Sequence, residues 1–155
     1  MVCWRDKSGG RIVKIYVASS WRNQLQQWIV QRLRIAGYEV YDFRNPAPGN
    51  EGFHWSALDP GWESWGPKDL RKALTEPIAE AGFALDKGAM DWADAGVLVL
   101  PCGRSAHLEA GYMAGQGKRV VPLMVIQQEP ELMYKLLGPI ATNWPELIAA
   151  LEVFA

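Results

Sequence analysis

Hydrophobic positions in this chain alternate between short solid runs and helically spaced stretches, and that alternation predicts an α/β order of elements. Lys14 to Ser19 (KIYVAS) is an apolar, β-prone run after a Gly-Gly punctuator and predicts a first strand. Ser19-Ser20 then opens a helix. Its apolar positions Trp21, Leu25, Trp28, Ile29, Leu33 and Ile35 recur near helical spacing, up to a C-cap at Gly37. Tyr38 to Phe43 predicts a second strand. A strand–helix–strand opening of this kind starts a parallel sheet.

Residues 44–66 break the pattern. Pro46, Pro48, Gly49, Asn50, Gly52, Pro60 and Gly61 interrupt any period, while Phe53, Trp55, Trp62 and Trp65 are interleaved among them. A long irregular stretch in a compact domain is usually a functional loop or lid, and linkers are poor in aromatic residues. Helical spacing resumes at Pro67, which suits a first helical turn, and runs to about Glu76. Pro77 starts a second helix, from about Ile78 to Ala93. Val97 to Leu100 is a solid apolar run of the buried parallel kind. Pro101 to Ser105 forms a turn, and Ser105 is the expected N-cap of a helix over Ala106–Gln116 closed by Gly117. Arg119 to Ile126 predicts another strand, Glu131–Leu137 and Pro145–Val153 two helices, and Ile140 a possible short strand. No internal repeat is present. The expected fold is an α/β three-layer sandwich, Rossmann-like or flavodoxin-like, with a parallel sheet of four to five strands in one domain spanning 1–155.

Composition narrows the function. The chain has 155 residues, with 16 Lys+Arg against 17 Asp+Glu, which disfavours a nucleic-acid protein relying on bulk positive charge. No apolar run reaches the length of a membrane span, and the N-terminus carries no apolar region of the secretory kind. Cys3 and Cys102 stand far apart, and His54 and His107 lack metal-site companions, so reduced thiols, no metal and a cytoplasmic setting are expected. Eight Trp in the chain are unusual, and three of them fall in the irregular stretch.

Ligands in such folds bind beyond the carboxyl ends of the strands. Two strand-to-helix turns stand out there. One holds Ser19, Ser20, Trp21 and Arg22; the other holds Gly103, Arg104 and Ser105. Each offers hydroxyls, a guanidinium and helix-start N–H groups, a setting for an anion such as a phosphate. Neither matches a dinucleotide or P-loop fingerprint. Helix capping and solvated charge are the plainer readings of the same residues. Glu109 would sit at the fourth helical position after a Ser105 cap, near the positive helix end, where an ionised carboxylate can act as a nucleophile towards a sugar carbon. Asp86, inside the helix over 78–93, could supply a second carboxylate for glycosidic chemistry. Asp94, just before the apolar strand, fits a structural role.

Taken together, Ile15 to Trp21, Asp86 eight residues before Asp94, and His107-Leu108-Glu109-Ala110-Gly111-Tyr112 followed by Gly117-Lys118 resemble the nucleoside 2-deoxyribosyltransferase superfamily, which includes nucleoside 5′-monophosphate N-glycosidases. The resemblance covers roughly Lys14 to Val125. It implies that Glu109 is the nucleophile, that Asp86 assists the departing base and that Tyr16 positions the nucleophile. It also implies phosphate contacts from the Ser20–Arg22 and Ser105 regions. The substrate would be a nucleoside or nucleotide rather than a polymeric nucleic acid, no cofactor would be needed, and a homodimer or higher homo-oligomer would form. The segment Phe53-His54-Trp55 has no counterpart in that pattern and suggests a stacking lid over a base. Two other readings stay open: an NAD glycohydrolase of the TIR-like type, and a non-catalytic nucleotide-binding sensor.

Overall fold

The computed structural model describes residues 11–153. Cys3 and the N-terminal stretch discussed above lie outside the described residues. The chain divides into two compact units: residues 11–42 with 90–153, and Phe43–Ala89.

The first unit is built on four parallel strands. They are β1 (Lys14–Ala18), β2 (Glu39–Asp42), β3 (Ala95–Val99) and β4 (Arg119–Leu123), in the order β2-β1-β3-β4. The register pairs Ile15 with Val40 and Ala95, and Val97 with Val121. Beyond β4 a single parallel bridge joins Leu123 to Ala141, a rudiment of the fifth strand expected near Ile140. β3 is buried at every position, as a central parallel strand requires.

Helices cover both faces. The side chains of Ile15, Val17, Val97, Val99, Val121 and Leu123 form one core with Ile29, Val30 and Leu33 of α1 (Leu25–Ile35) and Leu147, Ala150 and Leu151 of α5 (Trp144–Glu152). Each fully buried aliphatic side chain there contributes about 1.5–3 kcal/mol of transfer free energy. The opposite face carries α4 (Arg104–Gly115), which buries Ala106, Ala110 and Met113. Gly96 allows that approach: a Cβ there would lie 3.1 Å from the Met113 sulfur. The unit is thus a three-layer α/β sandwich, as the hydrophobic pattern indicated.

Several boundaries differ from the sequence expectation. α1 begins at Leu25 rather than at Ser20, so Trp21 sits in a turn and not in the helix. The reason is local: Asn23 Oδ1 accepts from Leu25 N–H (3.0 Å), while Ser20 Oγ accepts from Arg22 N–H (3.2 Å) in a tight turn of its own. Ile35, one of the apolar positions at helical spacing, is 80% exposed at the helix end. Gly37 does take the left-handed conformation expected just past α1, and Gly117 does so past α4. β4 stops at Leu123, and Val125 and Ile126 are exposed. The segment expected to be helical over Glu131–Leu137 is a short 3-10 stretch, Leu132–Leu136, with the Glu131 side chain capping Met133 N–H. Asp94 is structural, as expected: its carboxylate accepts from Lys14 N–H (2.9 Å) and pairs with Arg11.

The second unit contains the irregular stretch, α2 (Pro67–Ala73) and most of α3 (Pro77–Trp92). Both helices start on a proline, as read from sequence. Two 3-10 turns, Trp55–Ala57 and Trp62–Ser64, give the stretch its shape. Phe53 packs edge-on to Trp55 (4.8 Å between centroids), and Trp55 edge-on to Trp65 (5.6 Å). Asp59 fixes the far end, accepting from Trp65 Nε1–H (2.7 Å) and Gly61 N–H (2.8 Å). These two bonds, the indole's first, hold its carboxyl below the usual range.

Candidate functional site

The first unit brings together two turns at the carboxyl edge of the sheet. β1 runs into Ser19–Asn23 and β3 into Leu100–Gly103, and the strands are adjacent. Ser19 Oγ–H donates to Val99 O (2.8 Å), and Asn23 Nδ2–H donates to Pro101 O (3.1 Å). These bonds stitch the two turns into one edge. Asn23 was not among the expected site residues, yet its side chain accepts from Leu25 N–H at the start of α1 and ties that helix start to the neighbouring turn.

The cap of α4 differs from expectation. Gly103, in extended conformation, is the N-cap, Arg104 is the first helical residue and Ser105 the second. Gly103 offers no side chain to compete for the helix-start N–H groups. Glu109 therefore falls at the sixth helical position rather than the fourth. The helix dipole acts mainly within the first turn, so it does little for Glu109. The helical repeat places Glu109 instead: it lies three residues after Ala106 and four before Met113, both buried against the sheet. Glu109 is half-buried on that stripe.

Its charge is felt at the strand end. The Cys102 thiol is pushed up to about 12, first by burial and then by the Glu109 carboxylate. A thiol in that state is not a nucleophile at neutral pH. His107 anchors the same turn. Its Nδ1 lies 2.8 Å from Gly103 O, a pure acceptor, so Nδ1 carries a proton, and Nε2 lies 2.9 Å from the Tyr134 hydroxyl in a second hydrogen bond. The two rings stack with centroids 5.8 Å apart. Neither His107 nor Tyr134 stood out as a site residue in the sequence, because nothing in its periodicity links positions that far apart.

Tyr16 is fully buried in β1. It pairs in register with Gly96, on the sheet face that carries α4, and its ring stacks on Tyr41 at 5.4 Å. Its hydroxyl is buried. Arg22, Arg104 and Ser105 are exposed at the stitched edge, and neither arginine has a salt-bridge partner among the described residues.

Asp86 belongs to the second unit. There it lines a cleft of about 210 Å³, partly open to solvent, whose walls include Phe43, Phe53, His54, Ile78 and Leu85. Gly82 lets Phe53 sit against α3, because a Cβ there would lie 2.9 Å from the Phe53 Cβ. Phe53 and His54 of the expected lid thus face this cleft, whereas Trp55 packs between Phe53 and Trp65. Phe43, Ile78 and Leu85 were not expected as cleft residues. No cluster of three metal-ligating side chains occurs among the described residues, and none of their helices is long and apolar enough to cross a membrane.

No family model matches the chain, and no curated protein matches it in sequence. Solved structures do match. The 2-deoxyribosyltransferase of Bacillus psychrosaccharolyticus aligns with a TM-score of 0.59 at 20% identity, over 87% of this chain and 90% of that one. The CMP N-glycosidase BcmB of Clostridium botulinum aligns with a TM-score of 0.45 at 15% identity, over 92% of this chain and 99% of that one. The first likeness establishes a shared fold, the one that the sequence resemblance implies. The second is too loose to bear on the site.

Proposed function

We propose that this protein cleaves or transfers the N-glycosidic bond of a nucleoside or nucleoside 5′-monophosphate. The observation that carries this reading is Glu109. It is a half-buried carboxylate on the sheet-facing side of α4, and its charge reaches the end of the central strand, where two turns are hydrogen-bonded into one edge. That is where doubly wound sheets bind ligands. The first structural neighbour, a 2-deoxyribosyltransferase on the same fold, supports the same reaction class.

In this reading a Glu109 carboxylate oxygen attacks C1′ of the sugar. The bond from C1′ to the base nitrogen breaks, and its electron pair leaves with the base. The role of Asp86, given by the sequence resemblance, is to deliver a proton to that base. The glycosyl ester on Glu109 is then resolved by water, which yields the free sugar, or by the nitrogen of a second base, which yields a new nucleoside. Tyr16, on the sheet face that carries α4, holds the nucleophile in place. Ser19, Ser20, Trp21, Arg22, Gly103, Arg104 and Ser105 form the rim that takes the sugar and its phosphate, and no cofactor or metal enters. A cytoplasmic homo-oligomer belongs to the same proposal.

The test is a substrate panel. Purified protein is incubated with ribo- and deoxyribonucleoside monophosphates, the free nucleosides and NAD, and released base is measured by chromatography. Base release from at least one nucleoside or monophosphate is expected. Turnover of NAD alone would replace this reading with a glycohydrolase of NAD. Tight nucleotide binding without release from any compound would replace it with a sensor.

The second unit supplies a prediction of its own. Stacking of a base on an aromatic ring is worth about 1–3 kcal/mol. Phe53→Ala is therefore expected to raise KM about tenfold for a base-bearing substrate, with little change in kcat. Trp55→Ala acts on packing instead and lowers thermal stability. An unchanged KM for Phe53→Ala would remove the stacking role.

A further inference from the structure

Residues 124–140 leave β4 and return to its edge at Ala141. Backbone bonds tie both ends. Met124 N–H donates to Ala141 O (2.9 Å), Ala141 N–H to Pro122 O (2.8 Å) and Gly138 N–H to Val120 O (2.7 Å). Between these ties the segment is held by local bonds, such as Leu137 N–H to Tyr134 O (3.0 Å) and Met133 N–H to the Glu131 carboxylate (2.9 Å). Its apolar side chains do little to hold it down, because Leu132, Met133 and Leu136 are exposed. The Gln128 amide nitrogen is buried in it with no hydrogen-bond partner among the described residues, a desolvation cost that favours release. Against this stands the bond between the Tyr134 hydroxyl and His107 Nε2, backed by the stacking of the two rings.

We propose that the Tyr134–His107 hydrogen bond is a latch that holds this strap on the head of α4, which makes Tyr134 a positioning residue for Glu109. His107 spans the gap: Nδ1–H grips Gly103 O, the N-cap of α4, and Nε2 bonds the Tyr134 hydroxyl. Cys102 Sγ lies 3.5 Å from His107 Nδ1, and His107 stands on α4 two residues before Glu109. Strap, turn and carboxylate thus share one neighbourhood. Freeing the strap loosens the turn from which the Glu109 helix starts. The positioning role rests on the reading of Glu109 as nucleophile; the latch does not.

Two variants separate the bonds. Tyr134→Phe removes only the hydroxyl. His107→Asn keeps a side-chain amide donor for Gly103 O but does not reach Tyr134. A net hydrogen bond of ordinary strength corresponds to about a fivefold change in opening. Hydrogen exchange of the amides over 128–137 is therefore expected to speed up about fivefold in Tyr134→Phe and by at least that in His107→Asn, which also loses the ring stacking. The double variant should be no faster than His107→Asn alone, because that change already removes the bond that Tyr134→Phe breaks. Unchanged exchange in β3 and β4 shows that the variants are folded. In the same variants kcat for base release should fall about fivefold with KM unchanged. Unaltered strap exchange, or additive effects in the double variant, would overturn the latch. Faster exchange with unaltered kcat would overturn the positioning role. If the wild type releases no base, the activity reading fails while the exchange result still decides the latch.

Discussion

Replacing Glu109 by glutamine should reduce base release by about 10³–10⁵-fold, equivalent to about 4–7 kcal/mol of transition-state stabilisation. The change is nearly isosteric, so the Ala106, Ala110 and Met113 stripe that seats α4 against the sheet stays intact. What disappears is the oxygen nucleophile, because a neutral amide does not form the glycosyl ester. Substrate Kd should change by less than tenfold, since the loss falls on the chemical step. The companion measurement is mass spectrometry of the wild type with a slowly resolved substrate, where a peptide containing Glu109 should gain the mass of the glycosyl group. A Glu109→Gln variant that keeps its rate within tenfold would end the nucleophile assignment. Asp86→Asn should hurt poor leaving bases more than good ones, because its proposed contribution is a proton for the departing nitrogen.

Much of this arrangement was legible before any coordinates, and the failures have local causes. The solid runs around Ile15–Val17 and Val97–Val99 read correctly as buried parallel strands, because burial on both faces leaves no polar alternation. Pro67 and Pro77 marked helix starts correctly, because a proline at the first helical position loses no hydrogen bond. The caps went wrong. Ser20 and Ser105 are good capping residues by type, but neither is a cap: Ser20 turns its hydroxyl to Arg22 N–H, α1 starts after Gln24, and the extended backbone at the head of α4 falls on Gly103. Moving the α4 cap by two residues carried Glu109 out of the first turn. Its case now rests on the helical stripe and the strand end rather than on the dipole. The tryptophans divide in the same way. Trp28 and Trp144 meet edge-on, each with the Arg32 guanidinium over its ring, and Trp92 lies beneath the Lys14 ammonium. Trp55 and Trp65 build a cluster, and the cleft wall is left to Phe53 and His54. Aromatic count was visible in the sequence, but which ring supports and which ring faces open space was decided by tertiary packing.

Removing both Arg22 and Arg104 should raise KM for a nucleoside 5′-monophosphate about 100-fold and leave KM for the matching nucleoside within about threefold. The premise is geometric. Ser19 and Asn23 bind the β1 turn to Val99 and Pro101, so the loop bearing Arg22 is fixed against the loop that leads into Arg104. Both guanidinium groups are exposed at that edge without a carboxylate partner among the described residues, so neither must break an ion pair there to meet a phosphate. A hydrogen bond to a charged group is worth about 1.5–3 kcal/mol, and solvent screening at an exposed rim selects the lower end, about tenfold per arginine. Screening also separates this site from a merely structural one. Raising ionic strength should weaken wild-type binding of the monophosphate and leave the nucleoside untouched, and the double variant should lose that salt dependence. Each arginine acting on one phosphate predicts single variants of about tenfold and a double variant near their product, unless one guanidinium swings to replace the other, in which case the singles fall short of it. Equal KM increases for nucleotide and nucleoside would mean that the substitutions disturb the edge itself and that no phosphate binds there. The fixed stitching of Ser19 and Asn23, rather than the arginines, would then be what the two turns contribute.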